Sequence, residues 1–165
     1  MQYSKIIIPV AMLQMNSPND VPAAFYGNIG AVIGHEIIHG FDTNGAQFDS
    51  DGNINSWMSQ AGQASFDSMA QCVINEYNEF NYTDSNGQVY KVNGVQTAGE
   101  NVADNGGLQA AYNAFMSDPE WNKPFPQTPK LKDTTNEQLF FLAFNRFWCI
   151  PPSDAFAASH DMRFA

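Results

Sequence analysis

Hydrophobic and polar positions change period several times along the chain, and each change marks an element. Lys5 to Leu13 is β-branched and apolar with Pro9 inside it, a pattern that predicts a buried or edge strand closed by the polar turn Asn16-Ser17-Pro18-Asn19-Asp20. From about Ala23 to Phe41 small and apolar residues dominate and predict a largely buried helix. Gly27, Gly30 and Gly34 lower its intrinsic propensity, so packing must hold it. A turn-rich stretch from Asp42 to Asn53 follows, and Ser56 stands where it can cap a helix beginning at Trp57. On that helix Phe66, Met69, Ala70, Val73, Tyr77 and Phe80 recur at helical spacing, which predicts a core face. Asp84-Ser85-Asn86-Gly87 joins two short β-like stretches that end at Val92-Asn93-Gly94, a hairpin signature. A second helix is expected from about Thr97 to Met116. Pro119 to Pro129 reads as an irregular connection, and Thr135 with Gln138 forms a capping box for a last helix bearing Leu139, Phe140, Leu142, Phe144, Phe147 and Trp148. Beyond Ile150 no periodicity is present.

Composition narrows the classes. The 165 residues contain 17 Asp and Glu against 7 Lys and Arg, a formal charge of −10. A surface that binds phosphates needs clustered cations, so the balance argues against nucleic acid as a partner; the acidity favours cationic ligands, but it reads first as a means of solubility in a salty or crowded medium. Two cysteines, Cys72 and Cys149, are too few for a disulfide framework and fit no cysteine zinc motif. The longest apolar run, Ile6 to Leu13, is too short to span a bilayer, and no signal-peptide pattern opens the chain. Without repeats or low-complexity linkers, one domain is expected over 1–165; the oligomeric state is not encoded in any pattern.

The chemistry lies in two segments. In Gly34-His35-Glu36-Ile37-Ile38-His39-Gly40-Phe41-Asp42, two histidines four apart project from one helical face and can grip one metal ion, with Glu36 beside them as a base for water. Burying two imidazoles and a carboxylate on an apolar helix without a metal would leave them unpaired at a cost of about 1–3 kcal/mol each. One catalytic Zn2+ satisfies all of them, and after two histidines the third ligand is a carboxylate or another histidine. Glu100 is the natural candidate. It lies in Gly99-Glu100-Asn101-Val102-Ala103-Asp104-Asn105-Gly106-Gly107, where Asp104 shares its helical face and can accept a hydrogen bond from the free ring nitrogen of a ligand histidine. Asp49-Ser50-Asp51-Gly52-Asn53 resembles a calcium loop but lacks a glutamate at the twelfth position and reads as a turn. Asn81-Tyr82-Thr83 fits the glycosylation acceptor pattern, which matters only for a secreted eukaryotic chain.

Together the two segments resemble the zinc motifs of the neprilysin and endothelin-converting-enzyme family of gluzincin metallopeptidases. The likeness extends through Asp51-Gly52, Trp57, Cys72, Gln138 to Leu142, and Phe147-Trp148-Cys149. It implies an α+β, mainly helical zincin-like (thermolysin-like) catalytic domain, with a short N-terminal strand region and a β-hairpin. It also implies His35, His39 and Glu100 as zinc ligands, Glu36 as general base, Asp104 as an acid that either orients a ligand histidine, the role its spacing favours, or donates a proton, and His160 as a donor to the oxyanion. The family's upstream domain that closes over the active site, and its C-terminal end, are expected to be missing from this stretch. The cysteines matching Cys72 and Cys149 in the family pair with partners outside it.

The activity implied is zinc-dependent endopeptidase hydrolysis of peptides on the amino side of hydrophobic residues, in a secreted, extracellular or periplasmic setting. The alternative is a zinc-binding, catalytically weak module or fragment. A closed structural zinc site is a third reading, and the retained Glu36 argues against it.

Overall fold

The computed structural model describes residues 5–14, 21–84, 86–126 and 128–148. It contains the helices α1 (Val10–Leu13), α2 (Pro22–Phe25), α3 (Ala31–Ile38), α4 (Gln60–Tyr77), α5 (Gly94–Ser117) and α6 (Asn136–Trp148). One antiparallel pair joins β1 (Asn81–Thr83) to β2 (Val89–Lys91), with Tyr82 opposite Tyr90. A π-helical turn, Tyr26–Gly30, links α2 to α3. The mainly helical class and the hairpin agree with the sequence reading.

The N-terminal strand does not form. Lys5 to Pro9 has no regular structure and Val10–Leu13 is a single helical turn, with Pro9 at its N-cap (φ −65, ψ 142). A strand is stabilised by a ladder, and Lys5 to Ala11 are all exposed, with no strand alongside them among the described residues. β-branched composition alone therefore did not make a strand here.

Two compact units result, one built around Ile38–Ala103, the other from Lys5–Ile37 with Asp104–Ile150. In the second, Ala23, Ala31, Ala111, Phe115 and Phe140 form the core. Phe115 and Phe140 are fully buried and stacked at 5.5 Å. A Cβ on Gly27 would come 2.1 Å from the Phe140 carbonyl oxygen, so glycine lets α6 lie directly on the π turn. The capping box closes as expected: Gln138 N donates to Thr135 Oγ1 at 3.1 Å, and Thr135 N to Gln138 Oε1 at 2.9 Å.

In the first unit α4 starts at Gln60 rather than Trp57, and the capping serine is Ser59, whose Oγ accepts from Gly62 N at 3.1 Å. Trp57 is drawn away from the helix because its indole N–H donates to the Ala46 carbonyl at 2.9 Å. The face expected to be core is largely uncovered: Ala70 is buried, whereas Met69 and Phe80 are 40% and 51% exposed. The hairpin is held by the stack of Tyr82 on Tyr90 at 4.9 Å. It delivers the chain to Asn93, whose side chain caps α5 by accepting from Gln96 N at 3.1 Å, so that helix begins three residues before the expected Thr97. Asp49 accepts from the N–H groups of Asp51 and Asn53, both at 3.0 Å, which makes the segment a turn. Cys72 is exposed and unpaired; Cys149 lies outside the described residues.

Candidate metal centre

His35 stands on α3 directly after Gly34 and is 7% exposed. A Cβ on Gly34 would come 2.5 Å from the Gly107 carbonyl oxygen, and one on Gly107 would come 2.3 Å from His35 N. Bare backbone therefore meets bare backbone where α3 crosses α5. The crossing sets His35 beside Asp104, about one turn before Gly107, and His35 Nδ1 hydrogen-bonds Asp104 Oδ1 at 2.8 Å. The Trp148 ring packs near the imidazole, 6.1 Å between centroids.

His39 is the first residue after α3, one residue beyond the last helical position Ile38 and short of the Phe41 end expected from the sequence. The chain reverses there, with Phe41 N donating to Ile38 O at 2.7 Å. Asp42 organises the reversal. Its Oδ1 accepts from the N–H groups of Asn44 and Gly45, each at 2.7 Å, while its Oδ2 holds His39 Nδ1 at 2.6 Å. Asp42 is 3% exposed, and of its three bonds the one from Gly45 is fully buried. A Cβ at Gly99 would lie 3.3 Å from Asp42 Oδ2, which brings α5 against the same carboxylate. The next residue, Glu100, faces His39, with Oε2 3.4 Å from Nε2.

The ligand atoms of His35, His39 and Glu100 lie within 4.8 Å of one another. Among the described residues this is the one cluster of His, Cys, Asp and Glu able to hold a metal ion. With aspartates engaging Nδ1 of both rings, a metal would be met by Nε2. Zinc bonds of about 2.0–2.2 Å at a tetrahedral angle separate two donors by about 3.4 Å, the distance seen between His39 Nε2 and Glu100 Oε2. Two imidazoles and one carboxylate fit zinc. Glu36, next to His35 on α3, has an exposed side chain.

The pattern that defines peptidase family M13 matches residues 2–163. The chain belongs to peptidase family M13. Within the family it is 44% identical to neprilysin-11 of Caenorhabditis elegans over 135 residues, 82% of this chain and 16% of that protein. To human neprilysin the identity is 40% over 148 residues, 88% of this chain and 19% of that protein. Solved M13-like structures superpose closely: PEPO from Lactobacillus rhamnosis gives a TM-score of 0.70 at 30% identity, covering 90% of this chain and 21% of that one. The Mycobacterium tuberculosis zinc metalloprotease ZMP1 in its open state gives 0.71 at 32%, covering 93% and 24%. This M13 chain therefore spans about a fifth of the length of the curated relatives it matches.

Of the residues singled out in the sequence, His35, His39, Glu100 and Asp104 are brought into one network and Glu36 adjoins it, while His160 lies outside the described residues. Asp42 was quoted within the motif but given no task. The signal was available, since an acid three residues after the second histidine is close enough to reach back to its ring.

Proposed function

We propose that this chain is the metal-bearing part of a zinc-dependent endopeptidase that hydrolyses peptides, with residues 1–165 working as one catalytic domain. The observation that carries the reading is the joint hold on the two imidazoles: Asp104 and Asp42 each engage an Nδ1 while the ligand atoms of His35, His39 and Glu100 gather within 4.8 Å. When bound, zinc supplies Lewis acidity to a peptide carbonyl and lowers the pKa of water towards neutrality. His35, His39 and Glu100 hold it. Asp42 and Asp104 fix the ring tautomers and raise the basicity of the donor nitrogens. Glu36 is the general base: it takes the proton of the attacking water and returns it to the leaving amine. His160 is assigned, on family resemblance alone, as a hydrogen-bond donor to the oxyanion. A location outside the cytoplasm is proposed on the same basis; among the described residues no helix is long and apolar enough to cross a membrane.

The test pairs two readouts on purified protein, zinc stoichiometry and cleavage of a quenched fluorescent peptide, for wild type and Glu36→Gln. One zinc per chain in both, with cleavage lost by about a hundredfold or more in the variant, is the expected result. A second reading, zinc binding without turnover, is favoured by the short share of the relatives that the chain spans. It holds if wild type binds zinc but cleaves no faster than the variant.

A further inference from the structure

An open groove in the first unit is not used by the metal centre. It lies between the loop after Asp42 and α4 and encloses about 550 Å3, within the range of roughly 300–1,000 Å3 typical of ligand sites. Ile54 and Trp57 form one wall, and Phe66 and Ile74, two turns apart on α4, form the other. The Trp57 ring is fixed by its bond to the Ala46 carbonyl, and Trp57 and Ile54 remain 46% and 80% exposed. Large apolar side chains open to solvent along a groove form a surface that an apolar side chain of a ligand can cover.

Charge says what kind of occupant. Asp67 lines the groove; its Oδ1 accepts from Gln63 Nε2 at 2.8 Å, and among the described residues its Oδ2 receives no hydrogen bond. Asp67 is the one charged residue of the groove lining, which holds no Lys or Arg to offset it. We propose that this groove is a second peptide-binding surface, separate from the metal centre, that docks a basic amphipathic segment: a large apolar side chain between the two walls, flanked by Lys or Arg facing Asp67. The assignment of the ligand as a peptide rests on the metallopeptidase reading; the apolar and cationic requirements come from the groove itself. Peptides bearing such a segment are retained on the protein, so the surface selects basic substrates.

Binding is measured without turnover, so failure of the catalytic reading and failure of this one are distinguishable. Zinc-loaded Glu36→Gln protein is titrated into a fluorescein-labelled peptide bearing one Leu flanked by lysines, and into the same peptide with each Lys replaced by Glu, followed by anisotropy. The basic peptide is expected to bind at least about tenfold more tightly, with the difference shrinking as salt is raised. Asp67→Asn should weaken it about two- to fivefold. Ile54→Ser, at a position too exposed to unfold the chain, should weaken it about three- to tenfold. Glu120→Gln, an acid that is not part of the groove lining and whose side chain is 66% exposed, should leave it unchanged, and a metal-directed hydroxamate should not displace it. Equal binding of the two peptides, equal loss in Glu120→Gln and Asp67→Asn, or displacement by the hydroxamate would each overturn the proposal.

Discussion

Replacing Gly107 with alanine tests whether backbone contact between α3 and α5 sets the metal centre. A methyl there would lie 2.3 Å from His35 N, 2.6 Å from His35 Cα and 2.7 Å from Gly34 C. All three atoms are backbone, so no side chain can rotate away, and relief requires the helices to part by about 1 Å to reach ordinary contact. Overpacking of this kind costs about 3 kcal/mol, against which alanine recovers about 1 kcal/mol of helix propensity. The clash wins, leaving a net loss of about 2 kcal/mol. For a chain of this size that lowers Tm by about 4–8 °C. Because the displaced atoms belong to His35, zinc affinity should fall by about tenfold or more, as when the support of a ligand is lost. Gly30→Ala supplies the opposite sign. There the nearest heavy atoms are 3.4 and 3.5 Å away, ordinary contact, so alanine should stabilise by about 0.5–1 kcal/mol without altering metal affinity. Calorimetry and competition with a chromophoric chelator read both quantities. A Gly107→Ala protein that melts at the wild-type temperature and keeps wild-type zinc affinity would refute the reasoning.

Asp42→Asn retains the volume but cannot accept at every oxygen; zinc affinity should drop about ten- to a hundredfold and Tm should fall with it, both measurable by the same assays. Thr135→Ala removes half of the capping box on α6 and should destabilise by about 1 kcal/mol, seen as a Tm about 2–4 °C lower with zinc binding intact. The Asp49 carboxyl is held below the ordinary range, first by the backbone N–H of Asn53 and further by Asn55 and Asp51, so its NMR titration midpoint should lie below that of an exposed, unbonded aspartate. A depressed value means the loop's contribution is complete above the ordinary carboxylate range and disappears as pH falls through the shifted midpoint; Asp49→Asn should abolish that dependence.

Local signals were the most legible in the sequence. Thr135 and Gln138 need only each other to make a cap, and the five residues from His35 to His39 need only helical geometry to aim two rings the same way. What failed depended on partners. The run Lys5 to Leu13 records an apolar preference, but a strand also needs a neighbour for its ladder. Likewise the spacing of Phe66, Ala70 and Tyr77 correctly put them on one face, while period says nothing of what covers that face. Ser56 was the cap expected from the sequence, and the structure uses Ser59 instead. The choice between them was made by Trp57, whose indole reaches across to the Ala46 carbonyl and takes the intervening residues out of the helix. Asp42 was legible only in part: spacing lets its carboxylate reach the His39 ring, whereas its bonds to the amides of Asn44 and Gly45 belong to the folded turn.

That triple engagement ties two equilibria together. The carboxylate that steadies the imidazole of His39 also closes the turn through the amides of Asn44 and Gly45, so opening the turn and releasing the ring are one event. By reciprocity, whatever factor metal adds to the population of the closed turn, the closed turn adds to metal affinity. The amide protons of Asn44 and Gly45 thus act as remote reporters of occupancy: their exchange with solvent slows as the centre fills, although neither residue touches the ion.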